Sequence, residues 1–264
     1  MKPKAKSTLV LASLLASTAV MAQSPAPAAA PEPEYTLAYN VGAVTEYRFR
    51  GMAQTSFKPA LQGGIDYTHK SGIYLGAWAS NVSWVKDFNG ATKGTLELDL
   101  YGGYKGSISK ELSYDLGFIT YQYPGNNSGD AGTPGAGLYS NASTTEVYGA
   151  LTYGLFTFKY SRSVGDWLGN LKSSGSQYFD LSAAFDLGNG YSLTPHIGRQ
   201  KVANQVGNLG DCTDYSLSFA KDFGNGVVVS AAASGTNASR LFYTDLNNKF
   251  LGKSALVVGV KYSF

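Results

Sequence analysis

From Tyr35 to the end of the chain, apolar and polar side chains alternate with a period of two. In the first segment, Tyr35 and Leu37 share one face and Asn40 lies on the other. Such alternation predicts β-strands whose two faces meet different surroundings. Similar segments recur and predict twelve strands, at residues 35–50, 60–69, 73–85, 95–105, 111–123, 144–153, 155–164, 177–187, 191–201, 213–220, 226–236 and 256–264. In 73–85 apolar side chains occupy both parities, so the sequence does not assign the faces of that strand.

The connections between these segments are alternately short and long. Short turns are expected at residues 70–72, 107–110, 154, 188–190 and 223–226, and long polar loops at 51–59, 86–94, 124–143, 165–176, 202–212 and 237–252. Short turns at one end and long loops at the other are typical of outer-membrane barrels, with the turns periplasmic and the loops extracellular. The sequence therefore predicts an all-β fold, an antiparallel transmembrane β-barrel of 12 strands over residues 35–264.

Composition agrees with an outer surface that meets something other than water. Charged residues make up 15% of the chain, against about 25% in an ordinary soluble domain. Aromatic residues near strand ends are expected to form two interfacial girdles: Tyr35, Tyr47, Phe49, Tyr67, Tyr104, Tyr153, Phe156, Phe219 and Tyr262. The alternative fold, a soluble β-sandwich of two domains, would have to hide a row of aromatic residues on every strand.

The N-terminus has the features of an export signal. Lys2, Lys4 and Lys6 precede an apolar stretch, and a cut after Ala22 predicts a signal peptide over residues 1–22. Residues 23–34 are rich in Pro and Ala and predict an extended periplasmic linker. Without the three lysines the formal charge falls from +3 to 0, so the sequence gives no basic footprint for nucleic acid. We expect the mature protein in the outer membrane.

The last strand ends in a pattern that resembles a barrel-assembly signal. Val258, Val260, Tyr262 and the terminal Phe264 share its apolar face. Strands that end this way resemble the signal read by the machinery that inserts outer-membrane barrels. The expected partners are therefore this machinery and the outer-membrane lipid, and a homo-oligomer is possible.

Several segments resemble one known family. The segment NVGAVTEYRFRG at residues 40–51 resembles the opening strand of the TorF family of porin-like proteins, which carries a tyrosine followed by an Arg-Gly pair. The resemblance continues in order through PALQGG, SGIYLGAWASN, ELDLYGG, YQYP and TEVY, at residues 59–64, 71–81, 97–103, 121–124 and 145–148. It is more specific in the first half of residues 40–264 than in the second. The resemblance implies an outer-membrane barrel with porin activity, and it implies no catalytic residues.

Strand alternation also predicts which charged side chains line the lumen. The candidate pore-lining residues are Glu46, Arg48, Arg50, Asp66, Glu97, Asp99, Asp115, Glu146, Lys159, Asp180, Asp186 and Lys261. Arg48, Arg50 and Lys261 would form a basic wall opposite an acidic wall, and this arrangement would orient polar solutes. The competing interpretation pairs Arg48 and Arg50 with nearby Glu46 and Asp66.

The sequence favours a porin-like channel for passive diffusion of small polar or charged solutes. The alternative is a non-conducting barrel that displays its extracellular loops for binding or adhesion. We expect no enzyme, because the only histidines, His69 and His196, lack the neighbouring serine that a barrel hydrolase needs. No cofactor or metal motif is present in the sequence.

Overall fold

The computed structural model describes residues 33–264, so the predicted signal peptide and most of the predicted linker lie outside the described residues. In chain order the elements are β1 (Tyr35–Val44), β2 (Arg48–Phe49), β3 (Met52–Ala53), β4 (Ala60–His69), β5 (Ile73–Asn81), α1 (Trp84–Asp87), β6 (Leu96–Ser107), β7 (Leu112–Gln122), β8 (Thr144–Tyr153), β9 (Phe156–Ser163), β10 (Gln177–Ala183), β11 (Phe185–Gly188), β12 (Tyr191–Lys201), β13 (Cys212–Asp222), β14 (Val227–Thr236), α2 (Arg240–Tyr243) and β15 (Ala255–Ser263). Single 3-10 turns lie at Trp167–Gly169 and Val206–Asn208. None of the helices in residues 33–264 is long and apolar enough to cross a bilayer.

All strands except β2 and β3 form one antiparallel sheet that closes on itself. Its order is β10-β9-β8-β7-β6-β5-β4-β1-β15-β14-β13-β12-β11, and pairing of β10 with β12 closes the ring. β10 and β11 continue the same register along β12, and the break between them lies opposite Pro195, which has no N–H to donate. Counted as one, they give a closed barrel of 12 strands, which confirms the predicted fold.

The two faces of the wall differ as the alternation predicts. Large apolar side chains are exposed on the outside of the barrel, among them Leu37, Val41, Leu61, Leu100, Leu116, Leu151, Leu181, Leu217, Leu256 and Val258. The structure also assigns the faces of β5, because Ile73 and Leu75 are exposed whereas Tyr74 is buried. Contact between water and a contiguous apolar surface of this kind is unfavourable.

The first strand is shorter than the sequence predicts. β1 ends at Val44, and residues 45–59 leave the wall and turn into the barrel, where Tyr47 is only 4% exposed. The prediction that Tyr47 and Phe49 belong to an outer girdle is therefore wrong. Alternation continues past Val44 in the sequence although the chain has already left the sheet.

The long loops pack against one another over one end of the barrel. We call residues 45–59, 82–95, 123–143, 164–176, 202–211 and 237–254 together the loop cap. Its buried core contains apolar side chains from all six of these loops, including Met52, Val85, Phe88, Ala142, Trp167, Leu168, Val202, Tyr243 and Leu251. The loops thus share one apolar core at the end opposite the short turns.

Candidate functional site

The centre of the lumen is crossed by an ion pair between the first loop and the wall. Nη1 and Nη2 of Arg50 donate to the two carboxylate oxygens of Glu146 on β8, at 3.0 and 2.6 Å. Nη1 also donates to Oε1 of Gln200 on β12, at 2.7 Å. Because β8 lies nearly across the barrel from β1, this arginine ties the loop that follows β1 to the far side of the lumen.

Aromatic rings hold the same guanidinium in place. The Cζ atom of Arg50 lies 4.1 Å from the ring centre of Tyr178 and 4.7 Å from that of Phe49. Burial lowers the pKa of Arg50, but the attraction of Glu146 outweighs burial and raises this pKa above its usual value. A planar guanidinium suits both contacts, since it binds a carboxylate through two donors and stacks on a ring.

Arg48 forms a separate pair on the same loop. Its Nε and Nη2 donate to Oε1 of Glu46 at 2.9 and 2.7 Å, and its Nη1 donates to the carbonyl oxygens of Gly51, Leu251 and Lys253. The expected basic wall is therefore wrong, because Arg48 and Arg50 belong to a loop and are paired with acids. The competing interpretation holds for Arg48 with Glu46 and fails for Arg50, whose acid partner is Glu146 rather than Asp66.

Tyrosine hydroxyls bind several of the inward carboxylates, a feature that the sequence analysis missed. Each pair joins elements that are not adjacent in the wall: Tyr47 with Glu97 at 3.1 Å, Tyr74 with Asp115 at 2.6 Å, Tyr101 with Asp66 at 2.6 Å, and Tyr178 with Asp214 at 3.0 Å. The parity of Tyr101 and Tyr178 in their strands was the available signal, whereas the sequence left the faces of the strand that contains Tyr74 undecided. These tyrosine–carboxylate hydrogen bonds fill part of the lumen and connect strands that are not neighbours in the sheet.

His196 lies among acids on the far wall. Its Nε2 is 2.8 Å from Oδ2 of Asp180, and its Nδ1 is 3.7 Å from Oδ1 of Asp214. Nearby, the Nζ of Lys159 lies 3.8 Å from the ring centre of Tyr148. The acids on this wall therefore have cationic or polar neighbours.

Solvent reaches one half of the lumen and not the other. Glu97, Asp99, Glu146 and Asp180, which lie toward the loop cap, are each at most 1% exposed. The side chains Asp66, Lys105, Asp115 and Lys261, which lie farther from the cap, are half-buried. The lumen is therefore sealed at the loop end and accessible from the turn end.

The accessible part contains a space of about 730 Å³, partly open to solvent, that we call the vestibule. Its lining combines polar side chains with apolar ones such as Trp78 and Val257, and it extends to Val228 near the turn end of β14. The polar side chains are those of Asn40, Gln62, Ser230 and Lys261. A second space of about 490 Å³ lies inside the loop cap and is bounded mainly by apolar and aromatic side chains such as Phe88, Trp84, Trp167 and Leu251.

Packed aromatic rings close the mouth at the loop end. The ring centres of Trp84 and Tyr123 are 5.1 Å apart at nearly a right angle, and those of Phe88 and Tyr139 are 5.7 Å apart. The first contact is edge-to-face and the second is tilted, and aromatic contacts of this kind stabilise a packed core. In this conformation, any passage through the barrel requires the cap to move.

Two groups of predicted residues lie away from the centre of the lumen. Asp186 is exposed, and its Oδ1 accepts from the backbone N–H of Gly188 at 2.8 Å, so it stabilises a short turn. The side chains of the predicted assembly signal, Val258, Val260, Tyr262 and Phe264, are exposed on the outer face. Phe264 stacks on Tyr39 at 5.8 Å between ring centres. The role of this strand in assembly stays a prediction.

Sequence comparison assigns the chain to a family without a known function. Residues 28–264 match the family described as "Bacterial protein of unknown function (Gcw_chp)". The chain belongs to the Gcw_chp family. No curated protein sequence matches it.

Solved structures share the fold of this Gcw_chp protein. The KdgM porin in complex with disordered oligogalacturonate has a TM-score of 0.51 and 8% identity, covering 86% of this chain and 98% of that chain. The NanC porin gives a TM-score of 0.51 and 8% identity, covering 86% and 99%. At this level of identity the likeness shows the fold alone, a porin-like β-barrel.

Proposed function

We propose that this Gcw_chp protein is a gated, porin-like channel of the outer membrane that passes small polar or charged solutes. The observation that carries the proposal is the contrast between the two faces of the wall: the outer face is apolar, whereas half-buried charged side chains such as Asp66, Asp115 and Lys261 face the interior. A polar interior within an apolar wall is the arrangement of outer-membrane barrels.

Four further features support the outer membrane as the location. Exposed aromatic side chains, including Tyr35, Tyr104, Tyr153 and Phe219, lie on the outer face of the barrel. The short turns and long loops are segregated to opposite ends, as in porins. The resemblance of residues 40–51 to the TorF family and the predicted signal peptide over residues 1–22 agree with export.

The loop cap supplies the gate in this proposal. Arg50 connects the first loop to Glu146, and the apolar core of the cap covers the mouth above this pair. Conduction then requires the pair to separate or the first loop to swing out of the lumen. The alternative function, display of the loops by a non-conducting barrel, predicts that the cap stays closed.

Single-channel recording tests this proposal. We would purify the protein from the outer membrane of an expressing bacterium, show that it runs as a heat-modifiable band, and record single channels in a planar bilayer under a salt gradient. Brief, infrequent steps in the wild type and longer openings in Arg50→Ala are the expected result. The absence of steps in both folded proteins would reject the channel and favour loop display.

A further inference from the structure

Two acids on β6 differ from the other buried acids of the lumen. Glu97 and Asp99 point inward, and they are 1% and 0% exposed. Oε1 of Glu97 accepts from the hydroxyl of Tyr47 at 3.1 Å, and the side chain of Tyr123 also interacts with this carboxylate. Oε2 of Glu97 has no partner within hydrogen-bond distance and angle among the described residues. Neither oxygen of Asp99 has a partner within residues 33–264. Three carboxylate oxygens are thus buried and unsatisfied at one place.

The neighbouring acids of the sealed half have cationic partners. Glu146 is paired with Arg50, and Asp180 with His196. No salt bridge within the described chain includes Glu97 or Asp99. An unpaired buried charge is strongly unfavourable, so these two acids require either protons or a cation.

The spacing of the two acids suits a shared ligand. Residues two apart on a strand project from the same face, with Cα atoms about 6.6 Å apart. Carboxylates at that spacing can both reach a cation bound at about 2.3–2.6 Å from each oxygen. Glu97 and Asp99 therefore project from the same inward face of β6 at a spacing that one cation can bridge.

The ligand chemistry favours a hard divalent cation. Carboxylate oxygens are hard ligands, and one divalent ion neutralises the two negative charges. Ca²⁺ tolerates irregular oxygen sets, whereas Mg²⁺ demands a near-octahedral set and loses water reluctantly. No group of three or more His, Cys, Asp or Glu side chains in the described part of the chain is arranged to hold a metal, so the remaining ligands would be water or neutral oxygens.

We propose that Glu97 and Asp99 form a binding site for a Ca²⁺-like cation beneath the loop cap. The site is tied to the cap through Tyr47, which lies on the first loop and donates to Glu97. A bound cation fixes the carboxylate that receives this hydrogen bond, and therefore stabilises the closed position of the loop. The inference concerns the closed barrel and holds whether or not the barrel conducts.

Terbium luminescence tests the site directly. Tb³⁺ occupies Ca²⁺ sites and emits when a nearby tyrosine is excited, and Tyr47 is adjacent to the proposed site. The full-length gene product, purified from outer membranes in detergent, is expected to show saturable tyrosine-sensitised emission that Ca²⁺ displaces. Asp99→Asn should weaken Tb³⁺ binding at least about tenfold. The matched control is Asp186→Asn, which removes an exposed carboxylate at a turn and should bind Tb³⁺ as the wild type does.

A second measurement separates loss of the site from loss of the fold. Ca²⁺ should raise the temperature at which the folded gel band converts to the unfolded band for the wild type and for Asp186→Asn. It should leave this temperature unchanged for Asp99→Asn and Glu97→Gln. Equal Tb³⁺ binding by the wild type and a folded Asp99→Asn protein would overturn the proposal. So would a folded wild type with no Ca²⁺-competed emission, because the two acids would then be neutralised by protons.

Discussion

Arg50 and Glu146 form a two-pronged ion pair in the lumen although 96 positions separate them in the chain. Their side chains are 8% and 2% exposed, so the pair is screened little by solvent. One partner is on a loop and the other on a strand of the far wall. The position of the first loop inside the barrel therefore depends on a contact that neither segment determines locally.

Removing the arginine is expected to destabilise the closed barrel. Arg50→Ala leaves Glu146 buried without its cation, and loss of one partner of a buried pair costs about 3–5 kcal/mol. The free energy of unfolding, measured by urea titration in detergent, should fall by that amount. Arg199→Ala is the control, because Arg199 is 43% exposed and lies 3.5 Å from Asp211, and such pairs contribute less than about 1 kcal/mol. Equal effects of the two changes would contradict the central role of Arg50.

A single methyl group should displace the ring that supports Arg50. A Cβ at Gly198 would collide with the hydroxyl oxygen of Tyr178, so Gly198→Ala forces this tyrosine to move. Overpacking of this kind costs about 1–3 kcal/mol, measured as a lower urea midpoint. At Gly149 the nearest atom to a new Cβ is the Cδ2 of Leu116 at 3.3 Å, so Gly149→Ala should have a much smaller effect.

Alkaline pH should weaken the bond between the first loop and the wall. Burial and the negative charges of Glu97 and Asp99 raise the pKa of Tyr47 well above its usual value of 10.0. Above about pH 10 the unfolded chain loses this proton first, so the stability contributed by Tyr47 is full below pH 10 and declines as pH rises. The difference in unfolding free energy between the wild type and Tyr47→Phe should therefore be constant at neutral pH and shrink above pH 10. A constant difference up to pH 12 would show that the phenol is not buried.

Neighbouring positions on β13 test which face meets lipid. Leu217 is 49% exposed on the outer face, and Ser218 faces the lumen. Leu217→Arg should cost about 2–4 kcal/mol in a bilayer, as charges do at the lipid-facing midplane, and reduce folding into vesicles. Ser218→Arg should fold normally and shift the reversal potential of any conductance toward anions. Equal folding of the two variants would argue against a membrane location for this face.

Much of the wall was predictable from local patterns. Alternation is a property of each strand by itself, and it identified the outer positions of Leu37, Leu100 and Leu217 and the twelve strands. The short turns followed from local signals such as Gly188-Asn189-Gly190. β5 was the exception, because apolar residues on both parities left its faces undecided until Tyr74 was seen to be buried.

The sequence by itself determined the barrel, its strand number and the side of the wall on which most residues lie, because a period of two is encoded within each segment. Only the tertiary structure decided where β1 ends, and therefore that Tyr47 and Arg50 enter the lumen to meet Glu97 and Glu146. Alternation continues through residues 45–50 after the chain has left the sheet. The path of a loop depends on contacts with distant strands, and a local pattern contains no information about such contacts.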